Sequence, residues 1–156
     1  MAWEIGPGVI ELPDGARLRG RGLRDGAIPE PPPEWGLYLL GRPPADAPWP
    51  GRWLRCRDFS VPRDLADARS AFEEAHRRAR DGVRVEVACG GGKGRTGVAL
   101  ACIAQLAGVP AHEATAWVRQ RYDSRAVETP WQRRWVRRFA AGGSVPPAQR
   151  SSGRLD

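Results

Sequence analysis

The feature that most constrains this chain is a strand, a glycine-rich turn and a helix in immediate succession between Val83 and Leu106. Val83, Val85 and Val87 alternate with Arg84 and Glu86, the period of a strand. Cys89-Gly90-Gly91-Gly92-Lys93-Gly94 follows as a tight turn, and Thr96 to Leu106 reads as a buried helix stopped by Gly108. A strand feeding a helix through so short a turn belongs to an α/β layer structure.

The flanking segments agree with that frame. Val9 to Leu12 and Ala16 to Arg19, joined by Pro13-Asp14-Gly15, predict a hairpin. Gly36 to Leu40 and Trp53 to Cys56 are short strand candidates, set between the proline-rich stretches 29–33 and 43–50. Asp64 to Asp81 carries Leu65, Ala68, Phe72, Ala75 and Ala79 at helical spacing. Ala111 to Tyr122 and Thr129 to Ala140 are two further helices. The second is marked by Thr129 as cap, Pro130 at the first position and Gln132 three residues after the cap. Strands come early and helices late, so the expected fold class is α/β, a central mixed sheet flanked by helices. Residues 1–140 are expected to form one domain, and 141–156, small and polar, a disordered tail.

Composition narrows the function. At 156 residues, 41% hydrophobic and 28% charged, the chain reads as one globular domain. No stretch reaches the ~20 apolar residues of a membrane helix, and the first residues lack a signal-peptide pattern, so the expected location is the cytoplasm. The cysteines Cys56, Cys89 and Cys102 are odd in number and widely spaced, neither a disulfide framework nor a zinc pattern. His76 and His112 each stand alone in helical stretches, where surface positions are expected, and neither is assigned a metal. The net charge of +7 favours anionic partners. All basic residues except Lys93 are arginine, but they are spread along the chain without a nucleic-acid-binding signature, so no nucleic-acid partner is expected.

The chemistry concentrates in the turn. Glycines let successive backbone N–H groups turn inward as an anion cradle, and the helix N-terminus adds partial positive charge. A cysteine delivered to that place is expected to ionise near neutral pH. Arg95, six residues on, has the planar fork that suits two phosphate oxygens. Thr96 can donate to the sulfur. A nucleotide-binding Walker loop is excluded, because Gly-Lys is followed by Gly94 and not by Ser or Thr.

Cys89-Gly90-Gly91-Gly92-Lys93-Gly94-Arg95-Thr96-Gly97 resembles the Cys-x5-Arg signature of the protein tyrosine phosphatase and dual-specificity phosphatase superfamily. Ala88 stands where that family usually has His. Upstream, Asp58-Phe59-Ser60-Val61-Pro62 resembles the family's general-acid loop, with Cys56 and Arg57 in place of Trp and Pro. Downstream, Glu128-Thr129-Pro130-Trp131-Gln132 is similar to the Gln-Thr-x-x-Gln that opens the family's last helix. The resemblance runs from about Arg52 to Phe139. It implies a compact dual-specificity-phosphatase-like domain and a metal-free hydrolysis through phosphocysteine, with no cofactor.

In that reading Cys89 is the nucleophile, Arg95 and the loop residues Gly90, Gly91, Gly92, Lys93 and Gly94 hold the phosphate, and Thr96 assists the sulfur. Asp58 is the general acid, with Asp64 as the other candidate, read otherwise as a helix cap. Gln132 either positions water or simply completes a capping box with Thr129. The implied substrate is a phosphotyrosine or dual-specificity phosphoprotein. Lys93 motivates the alternative of a phosphoinositide or small phosphate, since a second cation could bind a second phosphate. Ala88 and Glu128 motivate a third reading, a non-catalytic phosphate-binding module. Oligomeric state is not legible in the sequence.

Overall fold

The computed structural model describes residues 1–28 and 30–143. Five strands form one mixed sheet: β1 (Val9–Glu11), β2 (Arg17–Gly22), β3 (Trp35–Leu40), β4 (Gly51–Arg55) and β5 (Val85–Cys89), in the order β1-β2-β5-β3-β4. Only the β1–β2 hairpin is antiparallel. Four helices flank the sheet: α1 (Leu65–Arg80), α2 (Gly94–Leu106), α3 (Ala114–Arg121) and α4 (Pro130–Gly143). The expected hairpin, strands and helices are all present. α4 continues past Ala140 to Gly143, and 144–156, where most of the expected tail falls, lies outside the described residues.

The connections decide what covers each face. From β2 to β3 and from β3 to β4 the chain steps one way across the sheet, and from β4 to β5 it steps back. Right-handed crossovers therefore send the two proline-rich connections over one face and α1 over the other. The helical face carries Leu18, Leu37, Leu39, Leu54, Val85 and Val87, which join Phe72, Leu100, Ile103, Val136 and Phe139 in one apolar core.

The opposite face is polar. All five residues of β5 are buried, those facing away from the helices included. Glu86 sits there fully buried, and it is satisfied. Arg21 grips both carboxylate oxygens at 2.5 and 3.0 Å, and the Tyr38 hydroxyl donates to it at 2.8 Å. Trp49, from the second proline-rich connection, donates in turn to the Tyr38 oxygen at 2.6 Å. Burying a carboxyl group is costly unless its oxygens are hydrogen-bonded in this way.

His76 is a correction to the sequence reading. It is buried on α1, and its Nε2 lies 2.7 Å from Asp14 Oδ2 in the β1–β2 turn. The hairpin folds back over α1 and covers it, which helical spacing alone could not reveal. Burial pushes the Asp14 carboxyl up, but the Ala16 N–H and the His76 ring outweigh it, and the result is held below the ordinary carboxylate value. His112 is exposed, as expected.

Candidate active site

β5 ends at Cys89 in the middle of the sheet, and α2 starts at Gly94. The turn between them is therefore short, and Arg95 lies in the first turn of α2 and not at the end of the loop. Gly92 has φ +75°, a left-handed conformation that disfavours any side chain. A Cβ built on it would lie 2.5 Å from the Gly22 nitrogen, so β2 also packs against the loop too closely for alanine. The Tyr122 hydroxyl donates to the Gly92 carbonyl and braces the turn from the end of α3.

Cys89 is 2% exposed, and two donors converge on its sulfur. The Gly92 N–H is 3.2 Å from Sγ and the Thr96 hydroxyl 3.1 Å. Both point at the one atom that the sequence reading takes as the nucleophile. The other two cysteines are different. Burial pushes the Cys56 thiol up to about 12, only partly offset by the Arg95 charge, and burial raises Cys102 well above the ordinary thiol value. Neither is a thiolate near neutral pH.

Arg95 is buried at 5% exposure and joins two loops. Its Nη1 donates to the Cys56 carbonyl at 3.1 Å, and its Nη2 lies 3.5 Å from Asp58 Oδ1. Its Nε is buried with no hydrogen-bond partner among the described residues. Asp58, half exposed, is thus brought to the mouth of the cysteine loop. Asp64, the other acid candidate, is the N-cap of α1, where it accepts from the Asp67 N–H at 3.0 Å. Lys93 is half-buried at the N-cap of α2. Ala88 is fully buried, with Arg21 and Tyr38 as its neighbours on the flanking strands.

Gln132 completes the predicted capping box: its Oε1 accepts from the Thr129 N–H at 3.0 Å, and Thr129 Oγ1 accepts from the Gln132 N–H at 3.1 Å. Its Nε2 donates to the Ser60 carbonyl at 2.8 Å, so both amide atoms are engaged. Glu128 lies against Gly94, at the start of α2.

Sequence reasoning missed two residues. Trp131 donates from Nε1 to the Phe59 carbonyl at 2.7 Å, 72 positions away. Phe59 has φ +59°, so the chain turns sharply straight after Asp58 and aims that carbonyl at α4. Arg24, in a short 3₁₀ turn after β2, has Nη2 3.4 Å from Asp58 Oδ2. No motif in the N-terminal third pointed to Arg24. The exposed Trp131 beside a cap was the one available signal for the other.

Residues 59–145 match the family model of the Swiss Army Knife protein DSP-PTPase phosphatase domain. The match contains Cys89, Arg95 and Gln132 and begins one residue after Asp58. No curated protein matches the sequence. Among solved structures, Tk-PTP in its active form is 19% identical, covering 88% of this chain and 99% of that chain, at a TM-score of 0.67. Kinase associated phosphatase, solved with its catalytic cysteine replaced by serine, is 14% identical, covering 91% and 99%, at 0.63. PTPMT1 is 17% identical, covering 74% and 81%, at 0.59. At these identities the likeness is one of fold.

Proposed function

The chain belongs to the Swiss Army Knife DSP-PTPase phosphatase domain family and is a phosphatase hydrolase, and from that premise we propose that it cleaves phosphomonoesters in two displacements through phosphocysteine. The observation that carries the reading is the convergence of Thr96 Oγ1 and the Gly92 N–H on Cys89 Sγ, with Arg95 and Asp58 meeting at the mouth above it.

In the first step Cys89 thiolate attacks phosphorus in line, and the ester P–O bond breaks. Asp58 gives its proton to the departing oxygen. Arg95, whose buried Nε is free for a phosphate oxygen, and the loop N–H groups of Gly90 to Gly94 stabilise the equatorial charge. In the second step water attacks phosphorus, the S–P bond breaks, and Asp58 takes the water's proton. Thr96 stabilises the leaving thiolate through its hydrogen bond to the sulfur. The residues named need no metal for these steps. Gln132 holds the acid loop through Ser60; turning its amide to the attacking water would require giving up that bond.

The resemblance implies a phosphotyrosine or dual-specificity phosphoprotein in the cytoplasm as substrate, and Lys93 beside the loop favours the alternative of a phosphoinositide or other small phosphate. Among the described residues no helix is long and apolar enough to cross a membrane. The test is hydrolysis of an aryl phosphate in EDTA, with vanadate inhibition. Cys89→Ser is expected to lower turnover by at least about 10⁴-fold while inorganic phosphate still binds. Near-normal turnover in that variant would remove Cys89 as the nucleophile. Phosphate binding without any wild-type turnover would favour the binding-module reading.

A further inference from the structure

Arg95 is not the only guanidinium at the mouth. A point one bond out from the Gly90 Cα lies 2.9 Å from Arg24 Nη2 and 3.3 Å from Arg95 Nη2. The two nitrogens are therefore no more than about 6 Å apart, the sum of those distances. They share one carboxylate: Arg24 faces Asp58 Oδ2 at 3.4 Å and Arg95 faces Oδ1 at 3.5 Å. The Asp58 carboxyl thus stands between two arginines.

Arg24 is also fixed to the loop. Its backbone N–H donates to the Gly90 carbonyl at 2.9 Å, and β2 directly before it is packed on Gly91 and Gly92. The 3₁₀ turn is therefore anchored directly to the cysteine loop. The side chain is 68% exposed, and Asp58 is its one carboxylate partner among the described residues. If Asp58 is protonated to act as the acid, as the reading above requires, neither arginine keeps its counter-charge. Arg95 then faces the scissile phosphate, and Arg24 faces whatever stands next to it.

We propose that Arg24 forms a second anion subsite, which makes the enzyme prefer substrates bearing a second phosphate on the carbon next to the scissile one. The inference rests on the phosphatase reading of Cys89 and Arg95. Two phosphates on neighbouring carbons can bridge two guanidiniums at this separation, and the planar fork of arginine suits phosphate oxygens. Lys93 sits at the N-cap of α2, so the loop itself adds cationic charge. An aryl phosphate, with a single phosphate group, leaves Arg24 unused.

The experiment measures binding by calorimetry to Cys89→Ser and to Cys89→Ser combined with Arg24→Ala or Arg24→Gln. The probes are inorganic phosphate and glycerophosphoinositol 4,5-bisphosphate. The expected result is a bisphosphate-to-phosphate affinity ratio that falls about tenfold, one charge-assisted contact, in both Arg24 variants. Thermal melting checks that both remain folded, and should either not fold, the other carries the ratio. Phosphate binding with a ratio unchanged by Arg24 would overturn the subsite and leave the phosphatase reading standing. Failure of both probes to bind would overturn that reading and the subsite with it. The same headgroup on a diacyl lipid in phosphatidylcholine vesicles distinguishes the source. An Arg24-dependent ratio equal in both formats supports a soluble bisphosphate, and one larger on vesicles supports a lipid headgroup.

Discussion

Two loops meet over Cys89, and they are held in opposite ways. The phosphate loop, Cys89 to Gly94, is largely buried and is shaped by its own backbone, with Gly92 at φ +75° and β2 packed on it. The acid loop, Cys56 to Ser60, exposes Asp58 and Phe59 and is held by side chains from elsewhere. Arg95 takes the Cys56 carbonyl, Trp131 that of Phe59, and Gln132 that of Ser60. A loop shaped by its own backbone is hard to deform; a loop fastened at three carbonyls can be unfastened one bond at a time. In the reading proposed above, the cysteine loop would hold the anion and the loop carrying Asp58 would be where rate is tuned.

The comparison is sharpened most by Asp58→Asn. The amide keeps the shape but has no acidic proton, so the leaving oxygen departs as an anion. Turnover of an alkyl phosphate is expected to fall about 10²–10⁴-fold, while an aryl phosphate with an acidic leaving group falls far less. Equal slowing of both would show that Asp58 is not the acid. Asp64→Asn should have no such dependence, because that carboxylate is spent on the Asp67 N–H.

The difference between the loops also explains what could be read from the sequence. Glycines, cysteine and arginine at fixed spacing are a local pattern, and the segment from Val85 to Leu106 folds as that pattern implies. The capping box at Thr129 and Gln132 is likewise local and is present. The contacts that place Asp58 are not local. Trp131 reaches across 72 positions, and Arg24 approaches from 34 positions upstream in a segment without a motif. The burial of His76 and of Glu86 was hidden for the same reason: each is covered by a segment distant in the chain.

Gly92→Ala tests the backbone half of the comparison. A non-glycine residue held at positive φ costs about 1–3 kcal/mol, and the added methyl also meets the Gly22 backbone. Activity is expected to fall about 10–100-fold for good and poor leaving groups alike, because the cradle and not the acid is disturbed. A variant that lost activity only on poor leaving groups would mean that the two loops are not separable in this way.

Trp131→Phe tests the side-chain half. It keeps an aromatic ring at the start of α4 and deletes the donor to Phe59. One neutral hydrogen bond contributes about 0.5–1.5 kcal/mol, so turnover of the alkyl phosphate is expected to fall about threefold to tenfold. The Michaelis constant for the aryl phosphate should hardly move. A change in that constant with unaltered turnover would place Trp131 in substrate binding and not in positioning the acid.

The smallest effect belongs to a fastening far from both loops, and it separates rate from stability. Asp14 ties the β1–β2 turn to His76 on α1. Its folded-state carboxyl is held below the ordinary value of 3.8 despite the opposing effect of burial, because the Ala16 N–H and the His76 ring favour its charged form. A depressed carboxyl contributes stability that is fully present above the unfolded value and is lost as pH falls through the folded one. The contribution is therefore complete at pH 7 and fades below about pH 4. Asp14 is partly exposed, so solvent screening limits it to no more than about 1 kcal/mol. Asp14→Asn is expected to lower the melting temperature slightly at pH 7 and less at pH 3, with the alkyl-to-aryl rate ratio unchanged. If that ratio moved as it does for Trp131→Phe, the hairpin and the acid loop would be coupled, and fastening at three carbonyls would not account for where Asp58 stands.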